Sequence, residues 1–197
     1  MNEHHHSAEL ESDLAFGNYV YQLLILLTFA AILSAALAFQ FGDGELPCPL
    51  CLLQRVAMFG ICFGIILDFR NGFSYRNVGL SLLCAIFLLI VSVRQTLLDI
   101  YPREGHAYIG SAVFGIHMPV WSIIITLFLL MAYAVQLCVL GGDMDLPKIP
   151  ASAFPILKRI GSAVSLYVIA LAVVNLVAVL LQCGVGQCHT MGYALLH

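Results

Sequence analysis

RNVGLSLLCAIFLLIVSVR, residues 76–94, sets seventeen consecutive uncharged and mostly apolar residues between two arginines. A helix needs ~20 predominantly apolar residues to cross the hydrocarbon core of a bilayer, so this stretch reads as a membrane-spanning helix. Working outward, the same reading repeats. No charge falls between Asp13 and Asp43, which fits a span at 17–41, and none falls between Glu104 and Asp143, whose second half fits a span at 119–140. From Arg159 to the C-terminus there is again no charge, giving a span at 161–182. The remaining span, 49–67, carries a single cation, Arg55. The expected fold is all-α, a polytopic membrane bundle of five helices; four helices and a re-entrant end is the other arrangement these runs allow.

The composition agrees. Of 197 residues, 61% are hydrophobic and 10% charged, with 8 Lys+Arg and 11 Asp+Glu, and the mean hydropathy is +0.98. A soluble domain carries about 25% charged residues. So few charges exclude a secreted disulfide scaffold, a disordered chain and a nucleic-acid binder, which needs a basic face.

Orientation follows from lysine and arginine in the short loops. Arg70 and Arg76 lie between spans two and three, and Lys148, Lys158 and Arg159 between four and five; on the other side only Arg103 stands clear of a span. This places the N-terminus and both basic loops in the cytoplasm, and the first loop, the third-to-fourth loop and the C-terminal tail outside. The segments are then a cytoplasmic tail at 1–13, a four-helix core at 14–140, a cytoplasmic connector at 141–160, a fifth span at 161–182 and an outer tail at 183–197. The acidic, histidine-containing tail, His4–His6 included, reads as hydrophilic and mobile and does not resemble a cleavable signal peptide.

The seven cysteines divide by this topology. Cys62, Cys84 and Cys138 fall within spans or at their ends, where a free cysteine packs as a small hydrophobe. Cys48 and Cys51, and Cys183 and Cys188, form two close pairs at the outer face, the side on which disulfides persist. Pro47 and Pro49 flank Cys48, and proline favours the first helical position. Cys48 therefore sits near the N-cap of span two and Cys51 in its first turn, where unpaired N–H groups and the positive helix end favour a thiolate. Arg55, four residues beyond Cys51, projects from the same face. It either snorkels to the head groups or faces the Cys51 sulfur and a bound polar cofactor head, and the i, i+4 placement favours the second. Gln54 is a candidate hydrogen-bond donor to a quinone-like carbonyl or an interhelical contact.

A lone C-x-x-C admits metal binding or disulfide exchange. Cys183, Cys188 and His189 would complete a four-ligand set with it, whereas the adjacent Arg55 repels a cation and favours thiolate chemistry. In CGVGQC, residues 183–188, the two glycines permit the tight turn of an intrachain disulfide. That pair is either a structural staple or a mobile exchange site for a soluble partner, with His189 a candidate proton carrier. Asp99, Glu104, His106 and His117 match no defined site and read as loop residues.

LPCPLCLLQR at 46–55, TLLDIYP at 96–102 and GIHMPVW at 115–121 resemble the DsbB family of membrane thiol–quinone oxidoreductases, in the family's order over four spans. The resemblance implies a four-helix core in a bacterial inner membrane. Such a core reoxidises a periplasmic thioredoxin-fold dithiol oxidase of the DsbA type and passes the electrons to ubiquinone or menaquinone from the membrane pool. It makes Cys48 and Cys51 the quinone-coupled pair, with Cys51 and Arg55 at the quinone. Two departures stand out. The family's second cysteine pair lies between spans three and four, where 102–118 has none here, and an added fifth span ends in Cys183 and Cys188. The position that holds histidine in some members is Gln95. The expectation is that Cys183 and Cys188 replace the missing loop pair and that all four cysteines are catalytic. A metal-binding or metal-transporting membrane protein using the outer cysteines is the alternative.

Overall fold

The computed structural model describes residues 2–42, 44, 46–101, 112–141 and 149–184. Five helices dominate: α1 (Asn2–Gly42), α2 (Pro49–Asn71), α3 (Tyr75–Ile100), α4 (Met118–Leu140) and α5 (Pro155–Cys183). Each is long and apolar enough to cross a membrane, within α1 over Glu9–Gly42. In hydrocarbon a spanning segment must satisfy its backbone internally, which a helix does. The chain is a multi-pass membrane protein with an all-α bundle. The alternative of four spans and a re-entrant end is set aside, because α5 is a continuous helix of 29 residues.

The helices outrun the charge-free stretches. α1 is helical from Asn2, so the mobile tail expected over 1–13 is instead continuous with the first span. α3 extends beyond Arg94 to Ile100, and α5 begins inside the expected connector at Pro155, after a 3-10 turn at Ala151–Ala153. The reason is that lipid constrains only the apolar stretch, whereas helical hydrogen bonding continues into polar sequence until a cap or proline ends it. Between α3 and α4 lies a hairpin of β1 (Ala112–Val113) and β2 (Ile116–His117). Its two turn residues, Phe114 and Gly115, both have positive φ, 54° and 75°, the conformation that matches the twist of a two-residue hairpin.

The helices alternate in direction, and polar contacts at the two ends fix this. At one end the C-terminal part of α1 (Gln40) meets the first turns of α2 (Arg55) and the C-terminal part of α5 (Asn175). At the other end Gln22 of α1 reaches Asp68 at the end of α2, Asn77 at the start of α3 also reaches Asp68, and Tyr75 donates to the Leu140 carbonyl of α4. Phe16 of α1 packs edge-on against Phe154 at the start of α5, at 5.4 Å between centroids. The core between is apolar, with Leu26, Phe29, Leu33, Ile61, Ile65 and Leu88 all fully buried.

Two glycines allow the closest approaches. A Cβ on Gly64 of α2 would meet the Ser81 hydroxyl and lie 2.6 Å from the Asn77 carbonyl oxygen, and one on Gly161 of α5 would lie 2.5 Å from the Phe69 ring. Small residues at such crossings are how membrane helices gain contact where no hydrophobic effect drives them together. The outward faces carry Leu83, Ile90, Phe128, Leu166 and Val173 exposed, as a lipid-facing surface requires.

Candidate functional site

The chain turns into α2 through Pro47 and Cys48. Cys48 is the N-cap residue, with φ −69° and ψ 160°, and Pro49 supplies the first helical position with no N–H to satisfy. The Cys48 carbonyl accepts the first helical bond from Leu52 N at 3.0 Å, and its Sγ accepts from the Cys51 backbone N–H at 3.1 Å. A sulfur thus does what a serine or aspartate oxygen does at other helix starts. Cys48 and Cys51 are joined in a disulfide, with Cα atoms 5.0 Å apart, at the electropositive end of α2.

A side chain of α3 serves both sulfurs. Gln95 Nε2 lies 3.3 Å from Cys51 Sγ and 3.5 Å from Cys48 Sγ. Its own Oε1 accepts from Gln54 Nε2 at 3.0 Å, and Gln54 also donates to Ser92 Oγ at 3.2 Å. Ser92 donates onward to the Leu88 carbonyl at 2.7 Å. With Gln54, Ser92 and Gln95 all buried, these bonds fix the Gln95 amide with its N–H toward sulfur. Gln54 is therefore an interhelical contact. In the sequence, Gln95 is marked only by the resemblance, which implies histidine at this position in some family members. Its spacing on α3 shows that it faces the core, but nothing in the sequence says that the core there is a disulfide.

Arg55 is buried, 8% exposed, so it does not snorkel. Its Nη1 donates to Gln40 Oε1 at 2.6 Å and Asn175 Oδ1 at 3.2 Å, and its Nη2 donates to the Ala36 carbonyl at 2.9 Å. The expectation that Arg55 faces the Cys51 sulfur needs revising: these donors point across to α1 and α5. Residues four apart share a helix face, but a long side chain swings toward whichever neighbour offers acceptors. The guanidinium ties three helices together one turn below the disulfide.

The end of α5 closes over the same loop. Gln182, fully buried, donates from Nε2 to the Pro47 carbonyl at 2.9 Å. The next residue, Cys183, is disulfide-bonded and 7% exposed. Cys188 and His189 lie outside the described residues, as do Glu104 and His106. The structure thus brings Cys48, Cys51, Arg55 and the Cys183 end of α5 to one end of the bundle. Cys62 is buried and Cys84 partly so, as expected of packing cysteines, whereas Cys138 faces outward on α4. Asp99 lies in the last turn of α3, and His117, exposed, caps the start of α4. Among the described residues no three of His, Cys, Asp and Glu converge as metal ligands.

Residues 18–107 match the family model described as "Disulfide bond formation protein DsbB". The chain is 37% identical over 87 residues to disulfide bond formation protein B of Nitrosomonas europaea, covering 41% of this chain and 52% of the relative. With the protein of that name from Cupriavidus necator it shares 34% over 86 residues, covering 43% of this chain and 53% of the relative. With that of Cupriavidus metallidurans it shares 26% over 146 residues, covering 59% of this chain and 91% of the relative. The chain spans about half the length of the first two relatives. No solved structure matches it. The segment that resembles the DsbB family holds α2, α3 and the disulfide.

Proposed function

We propose that this protein is a protein-dithiol:quinone oxidoreductase of a bacterial inner membrane. It would reoxidise a periplasmic thioredoxin-fold dithiol oxidase of the DsbA type and pass the electrons to ubiquinone or menaquinone, sustaining disulfide formation in exported proteins. The observation that carries the reading is the Cys48–Cys51 disulfide at the start of α2, with the disulfide-bonded end of α5 hydrogen-bonded to the adjacent Pro47. The described basic loop residues, Arg70, Arg76, Lys158 and Arg159, belong to the opposite end of the bundle. This supports a cytoplasmic N-terminus and periplasmic cysteines.

In the proposed sequence a partner thiolate attacks the Cys183–Cys188 disulfide and forms a mixed disulfide, and the partner's second thiolate then releases it as the oxidised partner. Cys183 is buried and adjoins Gln182, so in this sequence it is the sulfur that passes reduction inward, and Cys188 is assigned the attack by the partner. Exchange with Cys48–Cys51 restores the terminal disulfide and leaves Cys51 as a thiolate, stabilised by the helix start and by the Gln95 N–H. Quinone carbonyls are acceptors and need N–H donors. Gln95, whose Nε2 lies 3.3 Å from Cys51 Sγ, supplies such a donor beside Cys51, and Arg55 braces the same end of the bundle through α1 and α5. When bound, quinone takes up the two electrons and two protons released as the dithiol closes.

Quinone reduction by purified protein, with a reduced DsbA-type oxidase as donor, tests this reading. Turnover should vanish in Cys51→Ser. In Cys183→Ser it should fail with the protein donor and persist with a small dithiol. Full activity of Cys183→Ser with the protein donor would reduce the terminal pair to a staple, and no quinone reduction by the wild type with any dithiol would refute the enzyme reading.

A further inference from the structure

At the end of the bundle away from the disulfide, five buried side-chain atoms make no hydrogen bond of normal geometry: Asn18 Nδ2, Tyr21 OH and Gln22 Oε1 on α1, and Tyr133 OH, which faces Ser81 of α3, and Gln136 Oε1 on α4. They form one cluster. Gln136 Nε2 donates to Asn18 Oδ1 at 2.6 Å, the Tyr21 and Tyr133 rings meet edge-on at 6.3 Å, and Gln22 Nε2 donates to the Asp68 carboxylate at 2.6 Å. Asp68 is itself filled by two more donors, Ser74 N at 3.0 Å and Asn77 Nδ2 at 2.7 Å.

Lipid offers these groups no partner, and unsatisfied polar atoms are not tolerated at membrane depth. Their chemistry identifies what satisfies them. Rotating the Asn18 and Gln136 amides together merely exchanges which residue keeps the free donor and which the free acceptor. The Gln22 amide cannot rotate without turning its oxygen toward a carboxylate, so its free atom is an acceptor. The two hydroxyls both donate and accept. The set is therefore mixed and carries no net charge, apart from the Asp68 carboxylate already filled by three donors. A cation would be repelled by the free amide N–H, and an anion by the amide oxygens. A small neutral molecule that both donates and accepts fits.

We propose that Asn18, Tyr21, Gln22, Tyr133 and Gln136 form an internal water site between α1 and α4. Buried waters make ~3 hydrogen bonds each, so five open groups call for about two molecules. The site is separate from the disulfide. Leu26, Phe29, Leu33, Ile61, Ile65 and Leu88, none more than 1% exposed, lie between the two ends, so these waters do not reach the thiols.

Radiolytic hydroxyl labelling of the full-length protein in lipid nanodiscs tests it, because radicals formed from a bound water modify the side chain that water touches. Tyr133 and Tyr19 are a matched pair: both are 1% exposed. The Tyr19 hydroxyl is filled by protein, accepting from Phe73 N at 3.1 Å and donating to the Ile149 carbonyl at 3.2 Å. Tyr133 should label severalfold faster than Tyr19. In the double variant Asn18→Leu, Gln136→Leu, which removes water partners, Tyr133 should fall toward the Tyr19 rate. Equal rates for Tyr133 and Tyr19 in the wild type overturn the proposal whether or not the variant folds, and so does a folded double variant in which Tyr133 labelling is unchanged.

Discussion

Replacing Gln95 by leucine keeps the buried volume at the end of α3 while deleting the N–H that lies 3.3 Å from Cys51 Sγ and 3.5 Å from Cys48 Sγ. A hydrogen bond to a charged group contributes about 1.5–3 kcal/mol and one to a neutral group about 0.5–1.5 kcal/mol. A disulfide sulfur is a weak neutral acceptor and a thiolate a strong charged one. The Gln95 donor therefore favours the reduced, thiolate form by about 1–1.5 kcal/mol, the difference between those ranges. Water does not replace the lost bond, because Gln95 is only 7% exposed. For a two-electron couple 1.4 kcal/mol corresponds to about 30 mV, so the Cys48–Cys51 potential should move to more negative values by about 20–30 mV in Gln95→Leu. The assay equilibrates Cys183→Ser, Cys188→Ser protein, with and without Gln95→Leu, in glutathione buffers of graded potential, then traps free thiols by alkylation and reads the mass shift. Gln95→Glu, which sets a carboxylate beside sulfur, should move the potential further the same way. A potential that stays put, or rises, in Gln95→Leu would refute the argument that this amide stabilises the thiolate.

Gly64→Val forces a side chain into the Ser81 and Asn77 contact and should destabilise the bundle by about 1–3 kcal/mol, read as a lower thermal midpoint in detergent. Asp68→Leu leaves the Gln22, Asn77 and Ser74 donors unpaired; at about 1–3 kcal/mol for each stranded group, expression of folded protein should fall sharply. Gln182→Leu removes the bond to the Pro47 carbonyl. It should slow turnover with a protein donor while leaving turnover with a small dithiol unchanged, so equal slowing with both would contradict a docking role for Gln182.

The spans were legible because lipid imposes a one-dimensional filter: charge either interrupts a run or does not, and Arg76 and Arg94 bracket α3 as plainly as any cap could. The start of α2 was legible too, since proline at its first position and a polarisable side chain at the N-cap act within one turn. The partners of Gln95 and Arg55 were not. Which neighbouring helix a buried polar residue meets depends on how five helices are rotated about their axes, and lipid-facing and core-facing positions are equally apolar in sequence. For the same reason Cys138 resembles Cys62 in the sequence yet faces outward. Asp68 lies just beyond the second span expected at 49–67, but α2 runs on to Asn71 and draws it inside.

The crossing at Gly64 has a mechanical consequence. α2 and α3 are tied at several heights: at the turn by Asp68 and Asn77, at mid-depth by the Ser81 hydroxyl on the Ile61 carbonyl at 3.0 Å, and at the far end by Gln54 on Ser92 and Gln95. The glycine between them leaves no side chain to swing between rotamers, so the pair behaves as a stiff strut. Both sulfurs and the amide that serves them are mounted on that strut. If α5 tilts as a partner protein engages the far loop, the strut keeps the distance from Gln95 to sulfur constant, as a vice holds a workpiece while tools around it move.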